Sequence, residues 1–368
     1  MKRSTKSIAA AALAAVAGAA GAQGSVTLYG DIDQYGNYMK SSSGNHIVAI
    51  DDGALLRSRW GMRGSEDLGG GYAARFTLEG GFSGDTGGLA STGLFDRQSY
   101  IGLVTPAGEF RVGRQNSTIF VHGGYIDFTQ RTLGSVVNAF GVPARFDNDM
   151  SYISKRVSNL QLEAHVALPE APGNHALVYQ LGLDYATDNY NLGYQGLRGR
   201  PVSNAPIDKD VVYDNLYADL KYGGATVYLA YIHSNNITSS AVSTTAGTIV
   251  ANIGGYNTGT NADLKHFYNI YQVSADYQLS PQLRVGALWG RIQDTSGRDQ
   301  GASGAAIGAY YDLSKRTTLL ALVDTLRNDA NGGFRPAGSA ALKANFTSPG
   351  DVTGRTISGL QVGFVVRF

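Results

Sequence analysis

The sequence contains no cysteine and only 9 proline residues among its 368. Charged residues make up 16%, whereas a soluble domain typically carries about 25%. Small exported domains usually depend on disulfides, so an exported chain without cysteine must be held together by hydrogen bonds and closure of its fold. Glycine, with 49 residues, and tyrosine, with 22, are abundant instead. This composition favours tight turns and strands with aromatic residues at an interface.

Long apolar runs are also missing. After residue 22 no run of 18 apolar residues occurs, so no transmembrane helix is predicted there. The first 22 residues have a basic start, MKRSTK, an apolar stretch, SIAAAALAAVAGAA, and small residues at Ala20 and Ala22. These features predict a secretory signal in residues 1–22, cleaved before Gln23. An N-terminal membrane anchor is the alternative, although the apolar stretch is short and rich in alanine.

The charge balance gives no sign of a nucleic-acid partner. Removing Lys2, Arg3 and Lys6 with the signal leaves 27 basic and 29 acidic residues, a formal charge of −2. A nucleic-acid-binding domain would be expected to carry a basic patch or a high isoelectric point.

Many segments alternate apolar and polar residues with a period of two, which is typical of two-faced β-strands. In LQLEAHVAL, residues 160–168, the polar positions are Gln161, Glu163 and His165. Segments with helical periodicity are short and interrupted by glycine. The alternating segments predict about sixteen strands, near residues 25–37, 53–64, 71–83, 94–104, 109–115, 147–157, 159–168, 175–187, 189–197, 210–222, 224–235, 265–279, 281–292, 301–313, 315–327 and 357–368.

Short and long connections alternate between these segments, which predicts an antiparallel up-and-down meander. A soluble β-sandwich would also alternate, but its strands would tend to be shorter. Many of the predicted strands have 11–15 residues, long enough for a tilted crossing of a membrane. Aromatic residues near strand ends, including Trp60, Tyr222 and Trp289, favour a membrane-spanning barrel, with sandwich-core packing as the alternative.

One connection, residues 116–146, is unusually long and apolar. It contains Ile119, Phe120, Phe128, Val136 and Phe140, among other apolar residues. A loop of this length is usually functional or disordered. We interpret it as a segment that packs inside the lumen, the alternative being an external hydrophobic flap.

Arginines lie on the polar face of several strands. In LLRSRWGMR, Leu56 and Trp60 share one face, which places Arg57 and Arg59 on the other. An arginine facing lipid at the membrane midplane costs about 2–4 kcal/mol in a barrel. These side chains are therefore expected to face the lumen or a headgroup region, and the same parity turns Arg75 inward.

Chemical motifs are scarce. There is no H-E-x-x-H and no P-loop, and GASGA at residues 301–305 departs from G-x-S-x-G. The six histidines are dispersed without metal-ligand spacing. The sequence therefore predicts no enzyme, no cofactor and no metal site.

Several stretches together resemble the general porins of Gram-negative outer membranes, in particular the neisserial and related β-proteobacterial subgroup. These stretches are SVTLYGDID, SRWGMRGSEDLGGGYAARFTLEGGF, LFDRQSYIGLVTPAGEFRVGRQ, RFDNDMSYIS and the terminal strand GLQVGFVVRF. The resemblance implies a 16-stranded antiparallel transmembrane β-barrel over residues 23–368, whose third external loop folds inward and narrows a water-filled pore. It also implies a homotrimer in the outer membrane, in contact with lipid and lipopolysaccharide, that passes ions and small hydrophilic solutes. The terminal Phe368 would close the barrel and be read by the barrel assembly machinery.

The resemblance also suggests which arginines line the pore. Arg97 and Arg114 match positions where the family places wall arginines. The predicted basic wall is Arg59, Arg97 and Arg114, with Arg57 and Arg75 as neighbours.

The strand after the loop departs from the family pattern. Ser151 occupies the place where a further wall arginine is expected, and either Arg145 compensates or the cluster is smaller. The loop contributes His122, Asp127 and Arg131 as candidate constriction residues. Because Asp127 is the single acid in the loop body, we expect mild anion preference. The alternative is that the arginines bind lipopolysaccharide phosphates or only pair with acids.

The sequence leaves three functions to be distinguished. A general diffusion porin predicts short turns, one infolded loop and no catalytic cluster. A solute-specific anion or sugar channel predicts a basic or aromatic ladder along the lumen. An outer-membrane hydrolase requires a Ser/His/Asp or Asp/His group on facing strands, which a structure would reveal.

Overall fold

The computed structural model describes residues 24–89, 93–123, 126–168, 177–199, 211–235, 266–339 and 344–368. The predicted signal, residues 1–22, and the predicted loop at 236–264 lie outside the described residues. The strand segments are β1 Ser25–Ser41, β2 His46–Asp52, β3 Arg59–Gly69, β4 Tyr72–Gly81, β5 Gln98–Val104, β6 Gly108–Asn116, β7 Arg145–Ser154, β8 Leu160–Ala167, β9 Val178–Ala186, β10 Tyr190–Gly199, β11 Val211–Tyr222, β12 Ala225–Ser234, β13 Tyr268–Gln278, β14 Leu283–Asp294, β15 Ala302–Asp312, β16 Thr317–Asn328 and β17 Thr356–Arg367.

Three short helices are described: α1 Thr118–His122, α2 Val136–Phe140 and α3 Pro349–Val352. The helices of the described ranges are all too short or too polar to cross a membrane.

The strands form one closed antiparallel barrel. Each strand from β3 to β17 pairs with the next along the chain, and β17 returns to pair with β1. The 17 segments make sixteen barrel strands, because β2 and β3 both pair with β1, one after the other along its length. The predicted 16-stranded antiparallel barrel is confirmed.

The start of the barrel differs from the prediction. A loop was expected over residues 38–52 and a strand over 53–64. Instead β1 continues to Ser41, and β2 returns alongside it after a short turn. The interruption comes later, at residues 53–58, between β2 and β3. The alternation of HIVAIDD is weakened by two consecutive aspartates, which hid this strand from the pattern.

The two faces of the strands have opposite chemistry. On β17, Leu360, Val362 and Phe364 are exposed on the outside, whereas Gln361 and Val365 are fully buried on the inside. The same alternation of exposed apolar and buried residues occurs along β13 and β16. An outer apolar band of this kind is what contact with lipid requires.

The two ends of the barrel also differ. One end carries short turns and both barrel termini, Ser25 and Phe368; the other carries the long connections. The turn between β7 and β8 is one of the short ones, and Ser158 and Asn159 in it have φ of 47° and 70°. Positive φ at both central residues is the geometry of the two-residue hairpin turn that matches strand twist. The two ends are called the short-turn end and the long-loop end below.

The segment between β6 and β7 lies inside the barrel. Most of its described apolar residues, among them Ile126, Phe128, Leu133 and Phe140, are almost fully buried and share one core with the inner faces of β11–β17. The prediction of an infolded loop is therefore confirmed, and the external-flap alternative is wrong. This segment is called the lumen loop.

Candidate pore constriction

The base of the lumen loop is closed by Ser117. Its backbone N–H donates to Ala144 O at 2.9 Å, and its hydroxyl donates to Pro143 O at 2.6 Å. The same hydroxyl oxygen accepts from Phe120 N and so caps α1. One serine thus joins the two ends of the loop and begins its first helix.

Asp127 organises the middle of the loop. One carboxylate oxygen accepts hydrogen bonds from Thr129 N and Arg131 N at 2.9 and 3.0 Å. The other accepts from the Ser135 hydroxyl and from the Gln272 amide on β13, both at 2.7 Å. Asp127 is 1% exposed. These donors enclose the carboxylate beneath the loop, so Asp127 orders the loop from within.

Glycines on the barrel wall form a seat for the loop. Gly286 lies directly opposite Gly308 in the β14–β15 pairing, and Gly290 lies opposite Gly304. A Cβ atom at Gly290 would come within 2.9 Å of Val136, and one at Gly304 within 2.7 Å.

Gly286 is pressed closest to the loop. A Cβ atom there would collide with the Phe128 ring. The wall therefore carries no side chains at the positions where Phe128 and Val136 of the loop approach it. Sequence reasoning missed this glycine seat, although all four glycines fall on inward positions of their strands.

The first helix of the loop meets a different part of the wall. His122 Nε2 lies 3.3 Å from Glu163 on β8, and His165 lies 2.8 Å from the other oxygen of Glu163. His165 Nδ1 is 2.6 Å from Asp149 on β7. Histidines that are dispersed in the sequence thus share one carboxylate here. His122 anchors the loop to the wall. Within the described residues, no group of three or more histidine, cysteine, aspartate or glutamate side chains is placed to hold a metal ion.

A second inward segment completes the narrow region. Residues 53–58, between β2 and β3, are held by Asp33, which accepts from Leu55 N and Leu56 N, both at 2.7 Å. Ala54 O accepts from Leu133 N of the lumen loop at 3.4 Å. Arg57 therefore reaches the lumen from an irregular segment and not from the strand that was predicted to carry it.

Three arginines line the side of the lumen away from the glycine seat, and each is paired with a carboxylate. Arg59 lies 2.8 Å from Asp31, Arg97 lies 2.6 Å from Glu79, and Arg57 lies 3.1 Å from Asp96. Arg59 also approaches Glu79, at 3.8 Å. The structure thus brings together Arg57, Arg59 and Arg97, as the sequence predicted, but with more neutralising acid than was expected.

Arg145 and Arg131 complete the group. Their guanidinium carbons lie 4.6 and 4.5 Å from the centre of the Phe120 ring. Across the described ranges, no carboxylate lies within ion-pair distance of either side chain. Arg145 also lies within electrostatic range of Arg57 and Arg97. Of the two sequence alternatives for this strand, the geometry favours the one in which Arg145 compensates for Ser151.

Arg131 stays charged at its site. Burial lowers the pKa of its guanidinium to about 10, which is still well above neutral pH.

The two remaining predicted wall arginines, Arg75 and Arg114, each have a carboxylate partner of their own. Arg75 faces inward on β4 but pairs with Glu109 at 3.6 Å, near the short-turn end. Arg114 sits at a β-bulge in register with Ser99, on the outward parity of β5, and pairs with Asp147 at 2.5 Å. Arg114 Nε donates to Asp96 O at 2.6 Å, and the guanidinium lies within electrostatic range of Arg145, so the side chain remains beside the arginine group although its backbone position has outward parity. Its role in the basic wall stays a prediction.

The sequence and the fold are both similar to those of known proteins. A family model described as Gram-negative porin matches residues 9–331. The chain is 31% identical to an outer membrane porin protein of Bordetella pertussis, over 88% of this chain and 94% of that protein. It is 27% identical to the major outer membrane protein P.IB of Neisseria meningitidis, over 94% of this chain and 100% of that protein.

Among solved structures, the barrel is similar to an anion-selective porin from Comamonas acidovorans. The TM-score is 0.75 and the sequence identity 23%, over 94% of this chain and 100% of that chain. At this identity the likeness concerns the fold alone.

Proposed function

The chain belongs to the Gram-negative porin family, and from this premise we propose that its channel prefers anions. It is an outer-membrane porin, a channel for passive diffusion. The observation that carries the proposal is the pair of guanidinium groups, Arg145 and Arg131, that lie against Phe120 without a carboxylate partner in the part of the chain that the structure describes. The paired arginines around them are closer to neutral as a group.

Arginines that are paired with a carboxylate and arginines that are not differ in how far their electric field reaches. A guanidinium within 3.1 Å of a carboxylate, such as Arg97 or Arg57, presents mostly a dipole to a passing ion. An unpaired charge acts over a longer range. For an ion about 6 Å away in water, one unit charge contributes about 0.7 kcal/mol, or about threefold in local concentration. Arg145 and Arg131 therefore dominate the sign of the field at the constriction.

Reversal potentials in a KCl gradient across planar bilayers test this proposal. The wild-type channel should pass chloride in preference to potassium, and Arg145→Gln should lower the permeability ratio about threefold. Arg298→Gln, which removes a charge from an exposed hairpin at the long-loop end, serves as a matched control and should leave the ratio unchanged. Cation selectivity of the wild-type channel would contradict the proposal.

We further propose that the chain has no enzymatic role. The relatives described above are porins, which are channels. Ser151, His165 and Asp149 do lie together, and His165 is 2.6 Å from Asp149. However, His165 Nε2 faces Glu163, and the Ser151 hydroxyl donates to Gln115 at 2.8 Å. The imidazole is thus not arranged to take a proton from the serine.

Several other features stay proposals. We propose that residues 1–22 are a cleaved signal and that residues 23–368 form the barrel, in a homotrimer embedded in lipid and lipopolysaccharide. We also propose that Phe368 is read by the assembly machinery; its exposed ring and its pairing with Gly30 support this. Deletion of Phe368 should lower the yield in the outer membrane more than it lowers refolding in detergent.

A further inference from the structure

A recess of about 440 Å³ lies on the inner wall at the short-turn end, between the first strands of the barrel. Its charged lining consists of Arg63, Arg75, Arg111 and Glu109. None of the constriction arginines lines it. Its volume falls within the range of about 300–1,000 Å³ typical of small-molecule sites.

The charges in this recess do not cancel. Glu109 pairs with Arg111 at 2.9 Å and with Arg75 at 3.6 Å, so one carboxylate is shared by two guanidinium groups. Arg63 has no carboxylate within ion-pair distance in the ranges that the structure describes, and its side chain is exposed. The recess therefore carries a formal charge of +2, which matches a dianion.

Two of the arginines rest on aromatic rings. The guanidinium carbon of Arg63 lies 5.3 Å from the centre of the Tyr29 ring, and that of Arg111 lies 5.0 Å from the centre of the Tyr100 ring. The Tyr29 hydroxyl donates to Glu79 at 3.0 Å, which fixes the ring. A guanidinium laid on a ring keeps its N–H edge available for hydrogen bonds in the plane of the group.

The neutral lining adds further donors. Thr27, Thr77 and Gln98 also line the recess. Carboxylate and phosphate oxygens accept paired hydrogen bonds from planar guanidinium groups, with hydroxyls and amides satisfying the remaining oxygens.

We propose that this recess binds small dianions, dicarboxylates or phosphates, as a second anion site between the constriction and the periplasm. Short turns mark the periplasmic end of outer-membrane barrels, so a bound dianion would be held after it passes the constriction. The site is separate from the anion preference proposed for Arg145 and Arg131, because its charges and its lining are different residues. A dianion held there would interrupt the flow of chloride for the time it stays bound.

Single-channel recordings of the full chain in planar bilayers test the site. Succinate or inorganic phosphate is added to one side at a time in a KCl background, and the half-blocking concentration is measured. We expect concentration-dependent interruptions with either dianion, at lower concentration when it is added on the periplasmic side. Acetate, a monoanion, should be at least about tenfold weaker.

Two variants locate the site. Arg63→Gln and Arg111→Gln should each raise the half-blocking concentration about tenfold, since each removes charged hydrogen bonds to the dianion. Arg316→Gln removes a positive charge from the exposed turn between β15 and β16, at the same end of the barrel, and serves as the matched control. It should leave the half-blocking concentration unchanged.

The outcomes separate this proposal from the preceding one. Absence of block in the wild-type channel, or a shift of less than about twofold in both recess variants, overturns the dianion site. Arg145→Gln should alter the chloride to potassium permeability ratio and leave the half-blocking concentration within about twofold. A cation-selective channel that still shows periplasmic block, sensitive to Arg63→Gln, would support the recess and contradict the anion preference of the constriction.

Discussion

The lumen wall has two halves with opposite construction. On β13–β16, called here the docked half, glycine or alanine occupies several facing positions, among them Gly286, Gly290, Gly304 and Ala306, and the lumen loop packs onto this wall through Phe128 and Val136. On β3–β7 and residues 53–58, called here the arginine half, the facing positions carry guanidinium groups and carboxylates. One half holds the loop in place, and the other half carries most of the charged side chains.

Dense packing and charged side chains thus occupy different parts of the lumen wall. A densely packed contact tolerates little change in volume, so the docked half is sensitive to single atoms. In the arginine half, Arg57 and Arg59 are partly exposed to the lumen, so replacing them should have a smaller structural cost and a larger electrical effect; Arg97, which is buried in its ion pair, is the exception. A substitution in one half should therefore change loop stability, and one in the other half should change ion preference.

The largest effect is expected from Phe128→Ala in the docked half. Phe128 is fully buried against the Gly286 backbone and contacts Tyr310, with ring centres 6.2 Å apart. Loss of the ring should weaken loop docking by about 3–5 kcal/mol, because it leaves a cavity. Single-channel conductance and its noise should rise, and amide hydrogen exchange in residues 126–134 should accelerate.

The matched control for this variant is Phe364→Ala. Phe364 faces outward from β17, so its removal changes no contact of the loop. If Phe128→Ala and Phe364→Ala give the same conductance and the same exchange rates, the docked half does not hold the loop.

A smaller effect is expected from Asp127→Asn. This variant should separate loop docking, which it weakens, from ion preference, which it leaves nearly unchanged. The amide would present a donor to groups that now donate to the carboxylate, Ser135 and Gln272 among them. Loop docking should weaken by about 1.5–3 kcal/mol, the value of a hydrogen bond to a charged group. Exchange in the loop should accelerate while the reversal potential stays close to that of the wild type. A large change in reversal potential with unchanged exchange would instead mean that the charge of Asp127 acts on ions in the constriction and does not hold the loop.

The smallest effect is expected at the rim of the long-loop end, outside both halves. The Asp351 carboxylate accepts from the Ser43 hydroxyl at 2.6 Å and from the Asn45 amide at 2.8 Å. These hydrogen bonds hold the pKa of the Asp351 carboxyl below its usual value. The contribution of Asp351 to stability is therefore present above an unfolded pKa of about 3.9 and is lost as the pH falls through the lowered folded pKa.

Hydrogen exchange of residues 41–46 as a function of pH tests this point. After correction for the pH dependence of intrinsic amide exchange, the protection of these residues should be constant between about pH 5 and 8. It should decrease below about pH 4. In Asp351→Asn the decrease should be absent. Protection that falls at neutral pH instead would assign the titration to another group.

Alternation alone was enough to predict most strands of the barrel and the inward face of Arg59, although it missed β2. It failed where the backbone leaves regular strand geometry. Two consecutive aspartates hid β2, and the interruption at residues 53–58 brought Arg57 into the lumen by a different route. Bulges and interruptions depend on contacts with neighbouring strands, which a period of two in one segment does not contain.

The roles within the lumen loop were harder to predict, because they depend on residues far away in the sequence. Asp127 is enclosed partly by Gln272, 145 residues further on. The glycine seat depends on the register that places Gly286 opposite Gly308. His122 and His165 meet only because β8 lies beside the first helix of the loop. Composition identified the loop as a packed element, but the partners required the three-dimensional structure.

The seam of the barrel joins Gly30 and Phe368, whose backbone groups exchange hydrogen bonds of 3.1 and 3.0 Å. Residues 31–41 of β1 are in register with residues 357–367 of β17. The first strand to leave the ribosome must therefore wait for the last one, and both edges stay unpaired through synthesis and export. Contacts of such long sequence separation form slowly, and exposed edges invite aggregation. The seam can therefore close only after the whole chain has been made, which makes its closure a late step of folding.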